Sequence, residues 1–360
     1  MSKVLYIGHL HEGSSGWCRA ATDYIRALST VTDVVARSVY LSKDEAPESD
    51  IAEKTEGSLD GVTHIVQHLL PHHLDYNGRY KNIAISILES RNIQHTSWTS
   101  SLNLMDELWV PYCQAKCEKA LTPPKYLVPH ACDTAKYYNL YPKYELPVAF
   151  NFYTIADFVQ RKDLKALIKA FHTEFSVNEP VNLVIKTNRH QNTPQQLLEG
   201  AKQSFNTIKE GLKLYPSVEY YKPEVLITHH LTEEQLMALH QSCQCYVNTS
   251  HGEAWNYGLF DAMGFGNACI SIDSGAPSDY LSSYENAYMV ESTEEPCFAA
   301  LDTFQDIHTS RERWDSIDII DLASTMRQVY ETYKNEREDG IEQAKQYSYE
   351  NVGKIMGELL

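Results

Sequence analysis

Long apolar runs are missing from this 360-residue chain. No stretch supplies the roughly 20 apolar residues a membrane-spanning helix needs. The opening residues, MSKVLYIGHLHEG, hold an apolar segment too short for a secretory signal, so a cytoplasmic protein is expected. Positive charge is scarce: 31 Lys and Arg stand against 48 Asp and Glu, a net charge of −17. That disfavours a broad nucleic-acid footprint but permits a local basic cleft. Zinc-like cysteine spacing is absent as well. The eight cysteines offer only C-x3-C at Cys113/Cys117 and C-x-C at Cys243/Cys245, so reduced, mostly buried thiols are expected. Histidine is plentiful, yet His72-His73 and His229-His230 are adjacent pairs, and neighbours on a strand point to opposite faces. No metal site is expected. The G-x-G-x-x-G fingerprint is lacking too; the turn after the first strand reads G-S-S-G, with Gly13 and Gly16 at its ends, which argues against a nicotinamide-dependent enzyme. There is no repeat of solenoid period and no low-complexity tract.

What is present reads as an ordinary globular chain, 43% hydrophobic and 22% charged, long enough for two domains with a core each. Residues 3–8 form a first strand, followed by a loop and a helix over 17–28. Strands are expected over 33–41, 64–70 and 82–90, the last ending in Glu89. The segment 42–61 is acidic and reads as exposed, and 71–80 is a polar, aromatic loop containing His72. Alternation of strand and helix with short loops implies a parallel, doubly wound sheet. The Pro- and Tyr-rich segment 139–147 marks the boundary. We therefore divide the chain into 1–145, 146–340 and a terminal helix, 341–360, expected to pack back on the first domain. The second domain restarts with a strand in 148–158. A helix follows from Asp163, then a strand over 181–188, a helix over 194–214 and a strand over 225–228. A capping box, Thr232 with Gln235, opens the next helix.

The stretch 251–274, HGEAWNYGLFDAMGFGNACISIDS, is read as loop, helix and strand. Glu253 falls on the loop and Asp261 on the helix. In an open α/β sheet, ligands bind where such loops leave the strands, and a helix N-terminus there suits a phosphate. Two carboxylates so separated can hold two hydroxyl-bearing parts of one ligand; they can equally cap the helix and face solvent. Arg161 and Lys162 precede a helix start, where the dipole disfavours cations, which points to an anion. Lys186 ends the apolar strand VNLVIK; it is explained by an anionic partner in the cleft or by reaching solvent from an edge strand.

These residues carry a resemblance. E-A-W-N-Y-G-L-F-D-A-M resembles the E-x7-E signature of family 4 retaining glycosyltransferases of the GT-B fold, in the variant E-G-W-N-L-P-x-x-E-A-M. Ala254 replaces a glycine and Asp261 the second glutamate. The stretches from Glu89 to Trp98 and from Met105 to Ala120 resemble two further family segments, with Gln94 and Tyr112 where the family has Pro and Ser. The stretch 128–138 resembles V-P-H-G-V-D, with Ala131 for the glycine; His130 then belongs to the linker, where it is expected to satisfy hinge backbone groups. The segments with Arg161-Lys162, with Ile185-Lys186-Thr187 and at 275–281 follow the same pattern.

The resemblance implies two Rossmann-like domains facing a cleft and transfer of a sugar from a nucleotide-diphosphate sugar to a hydroxyl acceptor, with retention and without a metal or other cofactor. Glu253 would hold sugar hydroxyls and Asp261 the ribose. Arg161, Lys162 and Lys186 would stabilise the departing diphosphate. Trp255, Asn256, Tyr257 and Gly258 would stand on the donor side, with Gly13, Gly16 and, toward the base, His229. His11, His72 and Glu89 would line the acceptor side, in loops rich in hydroxyl-binding residues, so a glycan acceptor is expected. No dedicated base is expected, and closure about 139–150 should accompany binding. Two other functions stay open: glycosylation of hydroxymethylated DNA bases, as some phage transferases perform, and a catalytically silent nucleotide-sugar binding module.

Overall fold

The computed structural model describes residues 2–11, 15–39, 47–187, 192–297 and 309–360. Gly13 and Ser14, the first half of the G-S-S-G turn, lie outside the described residues.

The first half builds β1 (Lys3–Gly8), α1 (Gly16–Ser29), β2 (Asp33–Ser38), α2 (Ser49–Thr55), β3 (Val62–His68), β4 (Lys81–Ile85), α3 (Trp98–Leu102), β5 (Glu107–Val110) and β6 (Lys125–Leu127). Its six strands are ordered β2-β1-β3-β4-β5-β6, every pair parallel. Residues 139–149 carry no helix or strand. The second half adds β7 (Phe150–Ile155), α4 (Leu164–Glu174), β8 (Val181–Lys186), α5 (Pro194–Leu212), β9 (Val225–Ile227), α6 (Glu233–Ser242), β10 (Cys245–Val247), α7 (Tyr257–Gly264), β11 (Ala268–Ile272), α8 (Ala276–Tyr280) and β12 (Ala287–Val290). Here the order is β12-β11-β10-β7-β8-β9, again parallel throughout. An antiparallel hairpin of β13 (Ser292–Pro296) and β14 (Arg313–Ile317) precedes α9 (Ile319–Thr332), α10 (Arg337–Lys345) and α11 (Tyr349–Leu359).

Two parallel, doubly wound sheets are what the alternation of strands and helices predicts. The strand core is apolar on both faces because helices cover both. One buried cluster gathers Phe152, Ile168 and Met326 on the α4 and α9 side of the second sheet. Another gathers Tyr6, Tyr24 and Val352 between the first sheet, α1 and α11. A third runs between the sheets, from Leu108 to Tyr153 and Trp255. Gly353 lets α11 lie against α1, since a Cβ there would collide with the Ala27 carbonyl and Thr30.

Several expectations need correction. The fourth strand ends at Ile85, not at 90, so Glu89 stands in a bend beyond it. The apolar run misleads because Leu88 is buried in the core without joining the ladder. The acidic segment after β2 contains α2, which buries only Ile51. The loop at 275–281 holds the short α8, with Pro277 in its first turn. The helix α10, strands β5, β6 and β12 and the hairpin were not read from the sequence as elements. They are short, or, as with α10, offer few apolar positions for a periodicity to show.

Candidate functional site

In the second sheet, β7 leads outward to β8 and β9 while β10 leads the other way to β11 and β12. The reversal therefore falls between β7 and β10, which pair directly. Loops leaving the carboxyl ends of two such strands diverge and open a crevice. The loop after β7 carries Arg161 and Lys162. The loop after β10 carries Glu253.

Backbone and side-chain bonds lock the two loops together. Thr249 Oγ1 donates to the carbonyls of Lys162 (3.0 Å) and Asp163 (3.1 Å). The His251 N–H donates to the Arg161 carbonyl at 2.8 Å. Asp163 takes φ 39° and accepts from the Ala166 N–H, so α4 has an acidic cap of its own. Arg161 and Lys162, in the tight turn Gln160–Lys162 just before it, turn toward Glu253. Lys162 Nζ pairs with Glu253 Oε1. Arg161 Nη1 lies 3.4 Å from Glu253 Oε2 and donates to the Gly252 carbonyl at 2.9 Å. Arg161 Nη2 pairs with Glu89 Oε1 from the first domain at 3.0 Å. Glu253 is 5% exposed. Burial pushes its pKa up, but Lys162 and then Arg161 outweigh this, and the carboxyl is held below its ordinary range.

Glycines shape the loop. Gly252 has no room for a Cβ, which would meet the Glu89 carbonyl. Gly275, at φ 70°, sits against the Glu253 carbonyl, and the Ala276 N–H donates to that same oxygen at 3.1 Å. Asn256, at φ 66°, caps α7 by accepting from the Leu259 N–H at 3.2 Å. Gly258 allows α7 to press on the Tyr246 hydroxyl. Both positions shape the helix start.

Lys186 ends β8, 2% exposed, with Nζ donating to the Thr187 carbonyl at 3.3 Å. Burial lowers its pKa to about 8, against a smaller opposing pull from Asp157. The neighbouring Thr187 Oγ1 is buried and has no partner among the described residues. His229 lies exposed beyond β9.

Asp261 is placed differently from the expectation. It is 2% exposed, and both oxygens are engaged. Arg19 of α1 grips them at 2.8 and 3.0 Å, Lys136 Nζ lies at 2.7 Å and the Tyr137 hydroxyl donates at 2.8 Å. Burial opposes ionisation, but Arg19 and Lys136 prevail and hold the carboxyl well below its ordinary pKa. The Arg19 guanidinium also stands 4.2 Å over the Tyr257 ring. A Cβ at Gly16 would come within van der Waals range of that ring, so the start of α1 faces the start of α7.

Trp255 is a core residue rather than an open wall of the site. It is 3% exposed and stacks on His130, with ring centroids 5.1 Å apart. His130 does not serve the hinge backbone; its Nδ1 bonds the Tyr257 hydroxyl at 2.8 Å. His68 and His130 are both buried and held neutral, His68 with a pKa of about 3. On the first-domain side, His11 Nε2 lies 3.2 Å from Cys18 Sγ, and His72 packs on His73 at 4.0 Å. Among the described residues no group of three His, Cys, Asp or Glu is placed to hold a metal ion, and no helix is long and apolar enough to cross a membrane.

The structure thus brings together Glu253, Arg161 and Lys162, which were expected on the donor side, and adds Glu89, which was expected on the acceptor side. Sequence reasoning missed Arg19, Lys136, Tyr137 and Thr249. Arg19 is 242 positions from Asp261, and nothing local marks it.

Comparisons add a family match over part of the chain and a fold. Residues 149–316 match the family described as glycosyl transferases group 1. No curated protein matches the chain in sequence. Solved structures do match in fold. Sucrose-phosphate synthase from Thermosynechococcus elongatus superposes with a TM-score of 0.63 at 13% identity, over 100% of this chain and 98% of that one. An E. coli trehalose-6-phosphate protein bound with UDP-2-fluoro glucose gives 0.65 at 10% identity, over 99% and 98%. HepE from Anabaena, in complex with UDP and glucose, gives 0.59 at 10% identity, over 100% and 99%. The fold is that of two Rossmann-like domains in the GT-B arrangement.

Proposed function

We propose that this protein is a retaining glycosyltransferase that moves a sugar from a nucleotide-diphosphate sugar to a hydroxyl-bearing acceptor, a glycan being the acceptor class its loops suit. The observation that carries the reading is the meeting of Arg161 and Lys162 with Glu253 at the strand reversal between β7 and β10. A diphosphate leaving group gains negative charge in the transition state. Cations fixed beforehand in a crevice stabilise that charge without reorganising. Arg161 offers two N–H arms, Lys162 a mobile charge, and Lys186 a third cation at the neighbouring strand end. Glu253, already ionised and rigidly held, is suited to accept from sugar hydroxyls and fix the anomeric carbon.

In this reading the leaving phosphate takes the acceptor proton on the same face, which gives retention without a dedicated base or a metal. Asp261 is assigned to holding the domains together, since reaching a ribose would require it to give up Arg19 and Lys136. Acceptor and donor are assigned to opposite domains, with Glu89 at their meeting point, and the protein to the cytoplasm.

A thermal-shift panel of nucleoside diphosphates and their sugars tests the reading. UDP compounds come first, because two similar structures are described with UDP or a UDP sugar. A stabilising nucleotide followed by sugar transfer with retained configuration is the expected result. A panel without any shift would sink the donor assignment.

A further inference from the structure

Arg161 is shared by two carboxylates that come from opposite domains. Its Nη2 is 3.0 Å from Glu89 Oε1 and its Nη1 is 3.4 Å from Glu253 Oε2. Lys162 sits on the other oxygen of Glu253. The two cations assigned above to a diphosphate therefore already face two internal anions.

The two anions are not equivalent. The Glu253 side chain is 5% exposed, is gripped by both cations, and belongs to a loop of the same domain that is bonded to theirs. The Glu89 side chain is 36% exposed and comes from the first domain. It is delivered by a docked piece of backbone. The Glu89 carbonyl lies against Gly252. Two residues on, Arg91 and Arg313 of β14 exchange both backbone hydrogen bonds, at 2.7 and 3.0 Å. Arg91 Nη2 also reaches Asp315 Oδ1 at 2.5 Å. The segment is splinted to the donor domain, and its carboxylate is aimed at Arg161.

We propose that Glu89 is an intramolecular occupant of the phosphate subsite and determines its selectivity: an external anion gains Arg161 only by exchanging with Glu89. The proposal rests on the donor-site reading given above. An entering anion loses against Glu89 in two ways, through competition for the guanidinium and through like-charge repulsion at short range. A single phosphate recovers little. A pyrophosphate spans Arg161 and Lys162 with separate phosphoryl groups, so it keeps one cation while contesting the other. Glu89 thus penalises monophosphates more heavily than diphosphates. Because it belongs to the opposite domain, the exchange also reports donor arrival to the acceptor side.

The test is calorimetric titration of the full chain with inorganic pyrophosphate and, separately, inorganic phosphate. Glu89→Gln keeps size and removes charge. It is expected to tighten pyrophosphate by about tenfold and phosphate by more, narrowing the ratio between them. Glu89→Asp, with the charge withdrawn by one methylene, should fall between the wild type and Glu89→Gln. A purely structural ion pair predicts the opposite sign, since its loss would loosen the site and weaken both anions. Binding that Arg161→Gln weakens but Glu89→Gln does not tighten overturns this proposal alone. Binding that Arg161→Gln leaves unchanged overturns the donor-site reading and this proposal with it.

Discussion

Arg19 and Asp261 meet in a two-armed ion pair, at 2.8 and 3.0 Å, where α1 of the first domain crosses α7 of the second. The pair lies one helix turn from Tyr257, over whose ring the same guanidinium stands. It thereby fixes the helix whose preceding loop presents Glu253. A carboxylate that the resemblance assigns to a ligand has become part of the domain junction.

Removing the charge from Asp261 should therefore be felt in stability. Asp261→Asn takes the carboxylate from the buried Lys136 and leaves Arg19 to the more distant Asp23, at 3.9 Å. Loss of one partner of a buried pair costs about 3–5 kcal/mol, and the low end applies because the Arg19 side chain is 27% exposed. Urea unfolding at neutral pH measures it. The folded pKa is depressed, so the wild-type advantage is present above the unfolded aspartate value of about 3.9 and shrinks as pH falls below it.

Glu253→Gln preserves shape but weakens both the hold on Arg161 and Lys162 and the acceptance of sugar hydroxyls. Turnover of the donor identified by the panel should fall by about 10²-fold. Lys162→Ala should act chiefly on donor affinity. Steady-state kinetics separate the two, and wild-type rates in both variants would contradict the roles assigned.

Lys186 carries a pH signature. Its pKa of about 8 means that the cation is lost within an accessible range. Affinity for a nucleoside diphosphate should decline as pH rises through that value, by about tenfold once one unit above it. Lys186→Arg keeps its charge throughout and should flatten the profile. An unchanged slope in that variant would remove Lys186 from the phosphate subsite.

Gly252→Ala introduces a methyl group against the Glu89 carbonyl. The backbone cannot yield cheaply there, because Arg91 and Arg313 pair two residues further on. Overpacking of this kind costs about 1–3 kcal/mol. The expected outcome is a lowered melting temperature together with reduced transfer activity.

Much of the fold was legible because burial on both faces of a parallel sheet writes near-continuous apolar runs such as VNLVIK and ACISI. The cationic turn was legible from a local conflict, two positive residues at a helix start that disfavours them. Where Leu88 is buried outside any ladder, the same apolar signal overran the strand and misplaced Glu89 at its end. Trp255 was misread for a similar reason: a residue beside a site looks alike in sequence whether it faces the ligand or the core.

The chain's local chemistry determined the alternation of strands and helices, the capping boxes, and which short segments carry acids and cations. Those follow from forces acting over a few residues. Tertiary structure decided which charges meet. The pairing of Arg19 with Asp261, and of Arg161 with carboxylates from both domains, depends on how the two domains dock, and electrostatic energy falls with distance in space while ignoring distance along the chain.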